Sequence, residues 1–203
     1  MKSLHLMTAA ACLLLTAFLT QSGARAQQGP AGAADEPRFT GANELMRPTD
    51  FREWIFVTSG LGMTYNEVVA GVTARVPNFT NVYVNPSSYR SFMKSGQWPE
   101  KTIFILEVRA SQSEGSINKG GNFQTDIVAI EASVKDSARY PTKWAYFNFG
   151  GRGAGMKDKV EALPATANCY ACHATNAAVD NTFVQFYPTL LDVAREKGTL
   201  RAH

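Results

Sequence analysis

The sequence is poor in the side chains that most often bind metals. It has three cysteines and three histidines in 203 residues, and four of these six are Cys169, Cys172, His173 and the terminal His203. A tetrahedral zinc site needs four ligands. The other two of the six, His5 and Cys12, lie in the first 26 residues, so the terminal histidine would have to complete a site at residues 169–173. This scarcity disfavours zinc and concentrates any metal chemistry at residues 169–173.

Long hydrophobic runs are also lacking, with one exception near the N-terminus. Lys2 precedes an apolar run over residues 7–19, and Ala24-Arg25-Ala26 follows it. A basic start, a short apolar core and an Ala-x-Ala site predict a secretory signal peptide over residues 1–26, with a retained N-terminal anchor as the alternative. No later stretch approaches the roughly 18 apolar residues of a membrane-spanning helix, so we expect no span after cleavage.

An excess of charge of one sign is absent from the chain expected after cleavage. Residues 1–26 carry two basic residues and no acids, which leaves 18 basic and 17 acidic side chains, a balance of +1 over 177 residues. A nearly neutral surface argues against nucleic acid or anionic lipid as a partner. The length suits one domain, and we expect a periplasmic protein with a flexible lead-in over residues 27–47 and a domain over residues 48–203.

The motif Cys169-Tyr170-Ala171-Cys172-His173 predicts covalent attachment of one c-type haem. On a helix, positions i, i+3 and i+4 share a face, so both thiols and the imidazole can meet one flat ligand. Cys169 and Cys172 would form the thioether bonds, and His173 would be the proximal iron ligand. A redox disulfide is the alternative, although it would leave the histidine without a role.

The rest of the chain predicts an α+β fold, with an antiparallel sheet in the middle and the haem on C-terminal helices. A short helix is expected after Asp50, with Glu53 completing a capping box and with Phe51, Trp54 and Ile55 buried. β-branched and aromatic content predicts strands over residues 79–84, 102–109, 123–134 and 143–149. Further helices are expected over residues 86–95, 158–162 and 168–178 and after residue 188.

The glycine-rich segment at residues 150–155 resembles a phosphate-binding loop only superficially. It lacks the Gly-Lys-Ser/Thr ending that the phosphate chemistry requires. We therefore expect a flexible connector.

The opposite face of the iron has no obvious protein ligand. Electron-transfer cytochromes usually supply methionine or a second histidine, but no methionine follows Cys172. Met46, Met63, Met93 and Met156 lie upstream and leave a methionine ligand as an alternative. The simpler prediction is a five-coordinate iron with an open face, which binds small diatomics or carries out chemistry on a small substrate. An apolar wall would favour NO or CO over O₂.

Several segments resemble the cytochrome P-460 family, including its cytochrome c′-β branch. They are Phe51-Arg52-Glu53-Trp54, Val82-Tyr83-Val84-Asn85-Pro86, residues 102–108, residues 131–136, Trp144-Ala145-Tyr146, Leu163-Pro164-Ala165, the Cys-x-x-Cys-His motif and Phe186-Tyr187-Pro188. The resemblance covers nearly all of residues 48–195. It implies a mostly antiparallel β fold, a homodimer, and a distal haem face walled by strand residues.

One position departs from the hydroxylamine-oxidising members of that family. In those members a strand lysine bonds to the porphyrin, and an ungapped comparison places Leu106 at that position. The c′-β branch also lacks the bond and is associated with NO binding in a phenylalanine-capped pocket. The resemblance thus suggests Phe79 and Phe104 as the cap beside Leu106, with ordinary sheet packing as the alternative. Lys119, in a loop, is a less favoured source of a cross-link.

Three charged residues have possible roles near the haem. Glu131 could relay protons as a distal carboxyl, or it could be a solvated strand residue. Arg109 and Lys135 could pair with haem propionates, but we expect both at the surface. The ligand expected at the iron is a small gaseous or nitrogenous molecule: NO, CO or hydroxylamine.

Overall fold

The computed structural model describes residues 35–64 and 76–201. The predicted signal peptide, the first part of the lead-in and His203 lie outside the described residues. Within the described ranges, no helix is both long enough and apolar enough to cross a bilayer.

A six-stranded antiparallel sheet forms the centre of the protein, with its strands side by side in chain order from β2 to β7. The strands are β1 (Leu45–Met46), β2 (Ile55–Leu61), β3 (Phe79–Val84), β4 (Ile103–Gln112), β5 (Phe123–Lys135), β6 (Trp144–Gly151), β7 (Gly155–Met156) and β8 (Lys159–Val160). Strands β1 and β8 form a separate antiparallel pair. The predicted α+β class is confirmed.

Three α-helices accompany the sheet: α1 (Pro86–Ser95), α2 (Asn168–Asn176) and α3 (Pro188–Glu196). Helix α1 begins with proline in its first turn, where the missing N–H has no cost. It ends at Gly96, whose φ of +69° suits a residue without Cβ. A Cβ there would come within 2.8 Å of Lys197, so this helix end packs closely against the end of α3.

The sheet has two buried faces, because alternate strand residues point in opposite directions. Ile103 and Ile105 of β4 pack in one core with Phe147 of β6. Phe39 and Leu45, from the segment before β2, also pack in this core. Phe104 joins the other core with Trp144 and the C-terminal residues. The predicted alternation along β4 is confirmed, and the two faces of the sheet belong to two different cores.

The helix predicted after Asp50 is wrong beyond its first turn. A 3-10 helix spans only Phe51–Glu53, and Asp50 makes no side-chain cap. From Ile55 the chain becomes β2, which pairs with β3 from Ile55↔Val84 to Leu61↔Phe79. The i, i+3, i+4 apolar spacing fits a helix, but the ladder with β3 outweighs this local preference.

The lead-in also differs from the expectation. Leu45 is fully buried and pairs with Val160, so the described end of this segment, residues 35–47, is part of the folded domain. The helical turn predicted over residues 158–162 is wrong, because β8 occupies its centre.

The glycine-rich segment is a tight hairpin between β6 and β7 rather than a loose connector. Gly151 pairs with Ala129 and Gly155. A Cβ on Gly151 would lie 2.0 Å from the carbonyl oxygen of Val128. Because Gly151 has no side chain, its backbone can lie close to the backbone of Val128.

Candidate functional site

A cavity of about 310 Å³ lies against the sheet face that carries Phe104. The sheet contributes to its lining Thr58, Thr80, Val82, Phe104, Leu106 and Glu131. The C-terminal part of the chain contributes His173, Asn181, Thr182, Phe183, Phe186 and Tyr187. The cavity thus brings three of the strand residues selected from the sequence, Phe104, Leu106 and Glu131, together with the histidine of the motif.

Helix α2 carries the motif, as predicted. Cys169 and Cys172 are both half-buried, and neither forms a disulfide. Burial raises the pKa of the Cys169 thiol, and the nearby Glu131 charge adds to the shift. Helix α2 therefore carries two unpaired cysteines beside a histidine that lines the cavity, although neither cysteine is itself among the lining residues. Two cysteines and a histidine are the donor set of a covalently attached haem.

His173 is held as a neutral imidazole. Its Nδ1 lies 2.7 Å from the backbone carbonyl oxygen of Asn181. Since a carbonyl only accepts, Nδ1 carries the proton and Nε2 keeps its lone pair. Burial lowers the pKa of His173, outweighing the opposite effect of the Asn181 hydrogen bond. The geometry leaves Nε2 available as a metal ligand.

Aromatic rings fix the orientation of that imidazole. The Tyr146 ring centroid lies 4.5 Å from the His173 ring, and the Phe183 centroid lies 4.4 Å away. Tyr146 also meets Tyr170 edge-on at 4.8 Å. These contacts restrict rotation of the His173 side chain.

The proposed distal residues divide into two groups. Phe104, Leu106 and Glu131 line the cavity, whereas Phe79 is not among its lining residues. Phe79 lies in β3 between Leu61 and Arg109 of the flanking strands. Of the methionines considered as ligands, Met63 lines the cavity, while Met156 packs against the other core.

The aromatic residues after the motif were missed as site residues by the sequence analysis. Phe183, Phe186 and Tyr187 reach the cavity from a turn and a short 3-10 helix. Their i, i+3, i+4 spacing was a usable signal, because these positions share one side of a helical segment.

Glu131 is a carboxyl held in an unfavourable environment for its charge. It sits on β5 opposite Leu106 and Asn148, and the Asn148 amide donates a long hydrogen bond to it at 3.4 Å. Burial raises its pKa. Glu131 is half-buried, and its side chain can hold or accept a proton at the cavity wall.

Two of the other three charged candidates lie in ion pairs. Arg109 binds Glu107, which is 1% exposed and points away from the cavity. Lys135 is paired with Asp180 and is only 14% exposed, so the expected surface position is wrong for Lys135. Lys119 is exposed in the loop after β4.

The cavity contains a polar atom that suits an additional group. The Tyr146 hydroxyl is buried and has no hydrogen-bond partner within the described chain, and Tyr146 lines the cavity. Leaving such a group unsatisfied costs roughly 1–3 kcal/mol. Together with two thiols and a neutral imidazole on one helix, this observation fits a bound haem.

An antiparallel sheet whose cavity faces a Cys-x-x-Cys-His helix defines the protein as a β-rich haem protein. The sequence matches the family model Cytochrome P460 over residues 48–184. The chain therefore belongs to the cytochrome P460 family, as its resemblance predicted, and membership implies a haem cofactor. A comparison with curated proteins gives no match.

Proposed function

We propose that the protein is a periplasmic, homodimeric c-type cytochrome with one haem that captures, buffers or senses NO or a similar diatomic. Cys169 and Cys172 hold the haem by thioether bonds, and His173 is its proximal ligand. The bound haem would supply an iron that can take a diatomic ligand.

The observation that carries this proposal is the aliphatic side chain at the sheet wall of the cavity. Leu106 lines it beside Val82 and Phe104. No lysine or arginine belongs to the described lining. These three side chains offer a bound diatomic no hydrogen-bond donor, so their part of the wall favours NO or CO over O₂.

Leu106 also argues against the hydroxylamine-oxidising chemistry of the family. The resemblance places it where those members carry the lysine that bonds to the porphyrin, and a leucine side chain has no nucleophilic atom for such a bond. The c′-β branch, which the resemblance associates with NO, shares this absence.

One observation favours oxidation of hydroxylamine or NO as a second candidate. Glu131 lines the cavity, and burial raises its pKa. A carboxyl with an elevated pKa accepts and returns protons near neutral pH more readily than an exposed one. Oxidation of hydroxylamine releases protons, so a base at the cavity wall suits that reaction.

An electron-transfer cytochrome is the third candidate, and Met63 is its best support. Met63 lines the cavity, and its Sδ would lie only 2.4 Å from a Cβ on Gly60, so the side chain folds over β2. Methionine ligation would produce a six-coordinate, low-spin iron.

The optical spectrum of the ferrous protein, before and after addition of NO, tests all three candidates. The proposal expects a high-spin c-type spectrum that shifts on NO addition. A low-spin spectrum that NO leaves unchanged would support electron transfer, and Met63→Leu should then convert it to high spin. A strongly red-shifted Soret band, together with hydroxylamine turnover using an artificial acceptor, would support the oxidase.

A further inference from the structure

The carbonyl group that holds His173 belongs to an unusual turn. Asp180 and Asn181 have φ values of +40° and +60°, and the turn is closed by hydrogen bonds between Val179 and Thr182 in both directions, at 2.8 and 3.3 Å. Two consecutive positive φ values are the mark of a type I′ turn. Aspartate and asparagine tolerate this left-handed region better than most residues.

The turn is fastened to the sheet through the Asp180 carboxylate. One oxygen accepts from the Lys135 ammonium, and the other accepts from the Trp144 indole N–H at 3.3 Å. Lys135 is 14% exposed and Trp144 is 1% exposed, so both donors are held by the surrounding core. Removing either donor would leave a partly desolvated carboxylate short of partners.

The far end of the turn has its own attachment. The Trp98 indole N–H donates to the Thr182 hydroxyl at 2.8 Å. Lys135 also donates to the Trp98 carbonyl oxygen at 2.8 Å. Lys135 thus connects both attachments.

We propose that Asp180 and Lys135 are positioning residues that set the strength of the hydrogen bond from His173 Nδ1 to the Asn181 carbonyl, and through it the reduction potential of the iron. The inference rests on the proposed ligation of the iron by His173. A firm Nδ1–H hydrogen bond makes an imidazole a more basic ligand. A more basic ligand stabilises ferric over ferrous iron, and it stiffens the iron–histidine bond.

Lys135→Met separates this mechanism from a simple charge effect. Loss of a positive charge near the iron would by itself stabilise the ferric state and lower the reduction potential. A loosened turn weakens the Nδ1–H bond and raises the potential instead. The two explanations therefore predict opposite signs.

The experiment measures the reduction potential and the iron–histidine stretching frequency of the ferrous holoprotein. In Lys135→Met we expect the ferrous-to-ferric ratio at a fixed electrode potential to rise on the order of tenfold, which is about 59 mV for a one-electron couple. The stretching frequency should fall. Lys135→Arg should return both toward the parent values, because it keeps a donor and the charge.

Lys159→Met is the matched control, because it also removes one cation from an ion pair, the one with Glu44, on β8. It should leave the stretching frequency unchanged. If Lys135→Met does not fold, Asp180→Asn gives the same test through the stretching frequency, which should fall. An unchanged frequency, or a lowered potential in Lys135→Met, would overturn the inference.

His173→Ala distinguishes failure of this inference from failure of the proposed function. If the parent shows an iron–histidine stretch that His173→Ala removes, ligation is established and the Lys135 result decides the role of the turn. If His173→Ala leaves the spectrum unchanged, the ligand assignment fails, and the turn has no route to the iron.

Discussion

Two tyrosines share one unusual property and differ in their surroundings. The hydroxyl groups of Tyr140 and Tyr146 are both buried without a hydrogen-bond partner in the described chain. Tyr146 lines the cavity, whereas Tyr140 packs against the core on the other face of the sheet. Burial raises the pKa of Tyr140 to about 12 and raises that of Tyr146 as well, so both remain protonated donors.

Phenylalanine substitutions should therefore have different effects in the haem-loaded protein. Tyr140→Phe removes an unsatisfied hydroxyl and should raise the free energy of unfolding by about 1 kcal/mol. Tyr146→Phe should give no gain, or a loss of about 1 kcal/mol, because the bound group satisfies that hydroxyl. Urea unfolding followed by circular dichroism measures both. Equal gains would show that nothing in the cavity bonds to Tyr146.

Glu131 makes the stability dependent on pH with a predictable sign. Burial raises its folded-state pKa above the ordinary value of 4.5, so the folded state binds more protons between those two values. The free energy of unfolding contributed by this group consequently falls as pH rises through that interval. Glu131→Gln should be more stable than the parent at neutral pH, and the difference should shrink at pH 4.5.

Glu107 provides the control with the opposite sign. Desolvation raises the pKa of Glu107, but hydrogen bonds from Arg109, Arg52 and Asn81 outweigh this effect, so the pKa is lowered. Glu107 therefore stabilises the fold above its ordinary pKa, and this contribution is lost as pH falls through the lowered value. Glu107→Gln should destabilise the protein at neutral pH by about 2 kcal/mol. If Glu131→Gln behaved in the same way, Glu131 would be a structural ion rather than a strained carboxyl.

At the scale of elements, the alternation along β4 decides which side chains reach the cavity. Leu106 and Val108 share a face, but only Leu106 is among the cavity residues. Leu106→Lys should place an amine at the cavity wall, and peroxide treatment of the haem protein should then give a cross-linked chromophore with a red-shifted ferrous Soret band. Val108→Lys should give none. A normal spectrum from both would mean that position 106 does not face the porphyrin.

The sequence predicted those elements whose signals are local. The signals for both ends of helix α1, Asn85-Pro86 at its start and Gly96 at its end, lie next to the helix in the sequence. In β4, alternate residues indicate the two faces of the strand. The prediction for β2 was wrong because its apolar spacing also fits a helix. The pairing that decides between the two structures is with β3, whose partner residues lie 18 to 29 positions later in the chain.

The candidate site shows the same division. The prediction that Cys169, Cys172 and His173 bind a haem rests on five consecutive residues. The Asp180 turn is not, because its importance lies in a contact with Lys135, 45 residues earlier. Phe183 and Phe186 likewise become cavity residues only through the path of an irregular segment.

At the scale of the whole molecule, the haem stoichiometry and the processing site can be read in one experiment. We expect the exported protein to begin at Gln27 and to have the mass of residues 27–203 plus one haem that survives denaturation. The double variant Cys169→Ala, Cys172→Ala should have the mass of the polypeptide alone. Intact-mass spectrometry measures both, and a retained N-terminal segment would contradict the predicted signal peptide.

The two-faced sheet has a consequence for engineering. On β4 and β5 the residues that hold the sheet together, such as Ile105 and Ile130, alternate with those that face the cavity, such as Leu106 and Glu131. A combinatorial library confined to the cavity-facing positions would vary the cavity lining while keeping the opposite core intact. The residues that line the cavity can thus be changed separately from those that stabilise the fold.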